Sequence, residues 1–196
     1  MRKLLQPYVL AGLAGLFCCG LVFAQATATQ KAPAKTKPDV IFVPTPEVVV
    51  DEMLQLAELT DKDVHYDLGC GDGRIVVAAA KRGAKSRGFD IDPKRLRESQ
   101  ANIAKNNVGD LAKVSQADIF TLDLSGASVV TLYLLPSLNV KLIPQLEKLK
   151  PGSRIVSHDF DMKGIKPEKV VKVQGPTREH TVYLWRTPLQ KEEKDN

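Results

Sequence analysis

The segment Asp67-Leu68-Gly69-Cys70-Gly71-Asp72-Gly73-Arg74 constrains this chain more than any other stretch. It follows an apolar run, Val64 to Leu68, that reads as a short strand, and it precedes Arg74 to Arg82, which reads as an apolar helix. Glycines at alternate positions permit a tight strand-to-helix turn and a close approach of backbone to a ligand, while free amides at a helix start attract a negative group. A glycine-rich turn by itself is equally compatible with a plain bend, so the pattern downstream decides.

Downstream, strand and helix signals alternate. Ser86 to Asp90 reads as a second strand, and Asp92-Pro93 opens a helix to about Asn106, with Asp as cap and Pro in the first turn. Ala112 to Gln116 is a third strand, and Val129 to Leu135 is a fourth, apolar enough to be buried on both faces. Ser137 to Leu149 reads as a helix that Pro144 must begin late or kink, and Arg154 to His158 as a fifth strand. Lys169 to Gln174 and Thr181 to Thr187 look like antiparallel strands around a Gly175-Pro176 turn. Upstream, Val49, Val50, Met53, Leu54, Leu56 and Ala57 recur at helical spacing, with Pro44 or Thr45 as the start. The expected fold is α/β: a doubly wound, mostly parallel, Rossmann-like sheet over residues 40–188 that ends in an antiparallel hairpin, with 189–196 as a frayed tail.

A chain of 196 residues leaves room for one such domain. Its first 26 residues have the layout of a secretory signal: Arg2 and Lys3, an apolar run from Val9 to Ala24, and Ala24-Gln25-Ala26 as a small-x-small cleavage site. Cleavage would make the protein exported, periplasmic or secreted; the alternative is an uncleaved anchor in the inner membrane, and the membrane is expected only through this segment. Residues 27–39, rich in Ala, Thr, Lys and Pro, read as a flexible linker. The formal charge is +5, and without Arg2 and Lys3 there remain 26 basic against 23 acidic residues, or +3. That is too mild to predict a nucleic-acid partner. Beyond the leader, Cys70 is the lone cysteine, so no internal disulfide forms, and His65, His158 and His180 lack metal-ligand spacing. No metal is expected.

The spacing Gly-x-Gly-x-Gly differs from the Gly-x-Gly-x-x-Gly of dinucleotide binders, and Asp67 and Asp72 would repel a pyrophosphate. A ligand with both an ammonium and a carboxylate, such as the methionine part of S-adenosylmethionine, suits Asp67 and the loop amides instead. Asp90 closes the second strand at the distance where an acidic residue meets ribose hydroxyls. Asp118 follows the third strand, either accepting an adenine amino group or serving as a turn residue.

These stretches, in order VHYDLGCGDGR at 64–74, GFDIDP at 88–93, QADIF at 116–120, VVTLYLLP at 129–136 and LKPGSRIVSHDF at 149–160, resemble the class I, seven-stranded S-adenosylmethionine-dependent methyltransferases. The resemblance implies the Rossmann-like methyltransferase fold and S-adenosyl-L-methionine as methyl donor. It implies a cofactor site of Asp67, Gly69, Cys70, Gly71, Asp90 and Ile91, with Asp118 and Ile119 at the adenine. The segment FVPTPEVVVDEML at 42–54 further resembles bacterial relatives of the mitochondrial ATP synthase c-subunit lysine methyltransferase family. In that resemblance Val43, Pro44 and Thr45 lie over the cofactor, with the Thr45 hydroxyl near its methionine end; an ordinary helix cap at Thr45 is the alternative. The implied activity is N-methylation of a lysine on a protein substrate. The alternatives are a small-molecule methyltransferase, an aminopropyltransferase, or a non-catalytic nucleotide-binding protein.

Methyl transfer from a sulfonium asks chiefly for alignment and exclusion of water. A lysine nucleophile, with a reference pKa of about 10.4, must also lose its proton. Open α/β sheets present ligands at the C-terminal strand ends, which makes Tyr133, His158 and Asp159 the candidate catalytic groups. Strand alternation puts Thr131, Tyr133 and Leu135 on one face, so Tyr133 either lines the site or is buried under a helix. His158 either takes a proton or is structural, and His65 and His180 carry no assigned role. The chain lacks the Asn/Asp-Pro-Pro-Tyr pattern of many amide and base methyltransferases. Only residues 39–46 and the loop from Asp159 to Lys166 are available to cover a pocket, and so thin a cover suits a protruding protein side chain better than an enclosed small molecule.

Overall fold

A computed structural model describes residues 41–192. The signal or anchor segment over 1–26, the linker over 27–39 and the last four residues lie outside the described residues. Among the described residues no helix is long and apolar enough to cross a membrane.

Seven strands form one sheet: β1 Val64–Leu68, β2 Lys85–Asp90, β3 Ala112–Gln116, β4 Val129–Leu132, β5 Arg154–His158, β6 Lys169–Gln174 and β7 Glu179–Arg186. Their spatial order is β3-β2-β1-β4-β5-β7-β6. The first five pair in parallel, while β7 runs antiparallel to both β5 and β6. The hairpin is thus not a simple extension of the edge. Its second strand is the inner one.

Residue alternation builds two apolar layers from the same strands. Val130, Leu132, Ile155 and Trp185 face one side, where α4 (Pro136–Leu146) contributes Leu142 and Leu146. Their neighbours Val129, Val156 and Leu184 face the other, against α1 (Glu47–Leu56) and α2 (Arg74–Lys81). The same layer continues through α2 to Ile103 of α3 (Pro93–Lys105). Helices therefore cover both faces, as the near-continuous apolar strands require.

The boundaries differ from expectation where proline chemistry and pairing intervene. Asp92 caps α3 by accepting the Lys94 N–H at 2.8 Å, with Pro93 in the first turn, as the sequence indicates. β4 ends at Leu132 rather than Leu135, since Leu132 is its last residue paired to β1 and β5. Pro136, whose missing N–H is no loss in a first turn, then starts α4. Pro144 lies inside that helix near its end and does not delay its start. Beyond β7 the chain is tied down: the Lys166 N–H donates to Gln190 O and the Glu192 N–H to Gly164 O.

Candidate active site

The strand order reverses between β1 and β4, and there the C-terminal strand ends open onto a cavity of about 700 Å³. This is the switch point at which open α/β sheets bind ligands, and the volume is ample for one.

Asp67, next to last in β1, lies at the cavity floor, 2% exposed. Its Oδ1 accepts the Thr131 hydroxyl at 2.7 Å, while Oδ2 is buried without any partner. Burial pushes its pKa up to about 7, with the charges of Asp90 and Asp72 adding to the shift. A buried carboxylate oxygen with no donor is costly unless a ligand supplies one. The cationic group of an amino acid is such a donor.

The glycine loop that follows is shaped by contacts within the protein. Gly71 has φ +53°, and a Cβ there would fall 2.1 Å from the Phe42 ring, so the position has room for a hydrogen alone. Phe42 lies over the loop and itself carries the Arg95 guanidinium, 4.6 Å from the ring centre. The Gly69 and Cys70 amides donate to Phe89 O, the Gly71 amide to Asp90 Oδ2 and the Arg74 amide to Asp72 Oδ1. These four amides are occupied internally, in contrast to the expected cradle of free amides for a ligand carboxylate. Cys70 lines the cavity as an un-ionised thiol, its pKa driven up by burial.

Asp90, at the end of β2, accepts the Gly71 N–H on Oδ2 and the Asp92 N–H on Oδ1, both at 2.9 Å. Burial raises its pKa, and these amides work against the rise. Ile91 follows on the wall, its carbonyl held by the Gln116 side chain at 3.0 Å. Asp118 accepts the Phe120 N–H at 3.0 Å and starts a single 3₁₀ turn, Ile119–Thr121. The turn role is therefore real, and Asp118 and Ile119 both line the cavity as well.

Thr45 does not cap α1, whose cap position is Pro46 with no side-chain bond. Its hydroxyl meets His158 Nδ1 at 3.1 Å, and its carbonyl accepts Arg74 Nη1 at 2.8 Å. Arg74 also forks onto Asp72, with Nη2 to Oδ2 at 2.6 Å. One guanidinium thus fastens the segment before α1 to the glycine loop.

The three candidate catalytic groups separate. Tyr133 lines the cavity, its backbone just beyond the end of β4. Burial raises its pKa, as does Asp159, so it is a neutral phenol. His158 is completely buried behind it, the rings 3.9 Å apart. Both His158 nitrogens are engaged, Nδ1 with Thr45 and Nε2 with His180 Nδ1 at 2.8 Å. Burial lowers its pKa to about 4, so it is neutral. Asp159 is bonded to Arg178 and to the Thr181 N–H, which overcome its burial and hold its pKa low. Neither His158 nor Asp159 reaches the cavity wall. Their donor atoms and His180 Nδ1 form the one group of three that could hold a metal ion among the described residues, and Arg178 already fills a position on Asp159.

Four contributors are not visible in local sequence patterns as parts of the site. Phe42 and Arg74 stand inside segments that the sequence does single out. His180 and Arg178 meet His158 and Asp159 behind the cavity wall only because β7 folds back beside β5, which no local pattern announces.

Comparison with known proteins identifies a family. The ANTKMT methyltransferase domain family matches residues 67–169. A protein-lysine N-methyltransferase of Saccharolobus islandicus is 48% identical over 151 residues, covering 76% of this chain and 94% of that protein. The human lysine N-methyltransferase of the ATP synthase c-subunit is 28% identical over 172 residues, 87% of this chain and 72% of that one. Among solved structures, an RNA methyltransferase from Salinibacter ruber in complex with S-adenosyl-L-homocysteine is 47% identical with a TM-score of 0.70, covering 79% of this chain and 98% of that one.

Proposed function

Since the chain belongs to the ANTKMT methyltransferase family and is an S-adenosylmethionine-dependent methyltransferase, we propose that its acceptor is the ε-amine of a lysine on a protein partner. The observation that carries this reading is the 48% identity to a protein-lysine N-methyltransferase across nearly that whole protein. The rim of the cavity supports it. Ile41, Val43 and Leu135 are exposed there, and Tyr133 and Phe160 line the wall with their rings near parallel, 6.0 Å apart. Such an opening suits a flexible alkyl chain carrying an amine from a bulky partner, and aromatic faces favour its cationic form on approach.

The residues present fit the methyl donor. The unpartnered Asp67 Oδ2 would hold its ammonium, Asp90 its ribose hydroxyls, and Asp118 its adenine amino group, and Ile91 and Ile119 on the cavity wall would offer apolar surface to the ring. When bound, the donor supplies a methyl group activated by a positively charged sulfur. The chain's own task is alignment and exclusion of water, with Phe42 covering the glycine loop and Thr45 tied to it through Arg74. Tyr133, a neutral phenol at the wall, accepts an N–H of the entering amine, and His158 packs against its ring from behind.

The Salinibacter ruber structure favours a second reading, an RNA acceptor. Radiolabelled S-adenosylmethionine incubated with the enzyme and cell extract separates the two. Label is expected in material sensitive to protease and resistant to ribonuclease, appearing as methylated lysine after hydrolysis. Label removed by ribonuclease would replace the lysine reading.

We also propose that residues 1–26 act as an export signal or an inner-membrane anchor, on the strength of their basic start and apolar run. Alkaline phosphatase joined after Asn196 is expected to be active in cells. Inactive fusion in the soluble cytoplasmic fraction at full length would dismiss both forms of the proposal.

A further inference from the structure

Behind the cavity floor four polar side chains form a buried file across three neighbouring strands. Ser86 on β2 stands beside His65 on β1, and Thr131 on β4 stands beside Asp67, also on β1. Ser86 Oγ lies 2.8 Å from His65 Nδ1, His65 Nε2 lies 2.8 Å from Thr131 Oγ1, and Thr131 Oγ1 lies 2.7 Å from Asp67 Oδ1. All four are buried, beside the apolar layer that Val129, Val156 and Ile75 help to form.

Counting protons gives the file a direction. An ionised carboxylate has no proton to offer, so Thr131 donates to Asp67. A hydroxyl has one proton, so Thr131 must receive from His65 Nε2–H. Burial lowers the His65 pKa to about 3, so the ring is neutral and carries a single N–H. Nδ1 is then bare and accepts from Ser86. Every donor in the file points toward Asp67 Oδ1, and Oδ2 is the oxygen left over, buried and without a partner. With Asp67 protonated on Oδ1 the whole file reverses, and the carboxyl loses its negative charge.

We propose that Ser86, His65 and Thr131 are positioning residues that hold the ionised Asp67 with Oδ2 presented to the ammonium of the methyl donor. The inference rests on the chain's use of S-adenosylmethionine and is independent of the lysine acceptor. The charged groups facing Asp67 are Asp90 at the end of β2 and Asp72 in the loop, and both oppose its ionisation. The file supplies the compensating hydrogen bond.

The test compares two probes on the full chain. S-adenosylhomocysteine carries the amino-acid end, and methylthioadenosine lacks it. Thr131→Val keeps the shape and removes the bond to Asp67. It is expected to weaken S-adenosylhomocysteine about tenfold or more at pH 8 and to leave methylthioadenosine within about twofold. The pH midpoint of S-adenosylhomocysteine binding moves upward, since the ionised carboxylate has lost a donor. Ser86→Ala, three hydrogen bonds from Asp67, is expected to act in the same direction by about threefold, and Thr131→Ser to restore wild-type binding. Equal weakening of both probes would overturn the proposal, because it would mark a structural role alone. Unchanged S-adenosylhomocysteine binding in Thr131→Val would overturn it too. Wild-type protein that binds neither probe would remove the premise and the proposal with it, whereas label transferred to RNA would leave the proposal standing.

Discussion

Asp67→Ala is expected to abolish binding of S-adenosylmethionine while leaving the unliganded protein folded. Removing one partner of a buried, charged hydrogen-bonded pair costs about 2–5 kcal/mol, or about 30-fold to several thousand-fold in Kd. The effect on the unliganded protein has the opposite sign. Burial raises the Asp67 pKa to about 7, against about 4 for an unstrained chain. A carboxyl whose folded pKa is raised binds its proton more tightly in the native state. Its contribution to stability is therefore full in acid and declines as pH climbs from about 4 through about 7. Ligand binding needs the ionised form, so affinity rises over the upper part of the same interval. At pH 8 the alanine variant should match or exceed the wild-type melting temperature without ligand, and its residual affinity should lose the pH dependence. Calorimetric titration and thermal melts across pH 5–9 read both. Retained affinity in a folded variant would remove Asp67 from the site.

The largest effect on stability is expected from Trp185→Ala. Trp185 is 1% exposed, pairs across the sheet with Ile155 and stacks on Tyr183 with ring centres 5.7 Å apart. Its indole N–H donates to Ile165 O at 3.1 Å. Truncation leaves a cavity between the sheet and the 162–165 loop and strips that carbonyl of its donor. Losses of this type run to about 3–5 kcal/mol, which for a domain of this size lowers the melting temperature by on the order of 10 °C. Denaturant unfolding monitored by circular dichroism checks it, and a loss below about 1 kcal/mol would contradict the packing described.

The legible parts of the fold were those written in local chemistry. The Asp67–Arg74 turn, the Asp92-Pro93 helix start and the apolar β1, β4 and β5 follow from adjacent residues. So does the placement of Asp67, Asp90 and Asp118 at strand ends, because a parallel sheet exposes those ends together. The illegible parts depend on residues far apart. That β4 stops at Leu132 is decided by pairing on both sides. His180 meets His158 only through the antiparallel return of β7. His65 carried no assigned role because a single buried histidine looks the same in sequence whether it fills space or orders a file of hydrogen bonds. The occupied loop amides were equally hidden, since glycine spacing shows where backbone can turn and not which carbonyl claims each N–H.

The position of β7 also bears on how the chain can be made. Among the described residues it is the last strand in chain order, yet it lies inside the sheet, between β5 and β6. A nascent chain that ends before Glu179 leaves β5 with an open edge, gives β6 no neighbour at all and lacks Trp185. The parallel half can assemble early, but the sheet closes only when Glu179–Arg186 has left the ribosome. Until then the exposed edge of β5 is a place for foreign strands to add. Loss of a short C-terminal piece would therefore harm this protein more than its length suggests.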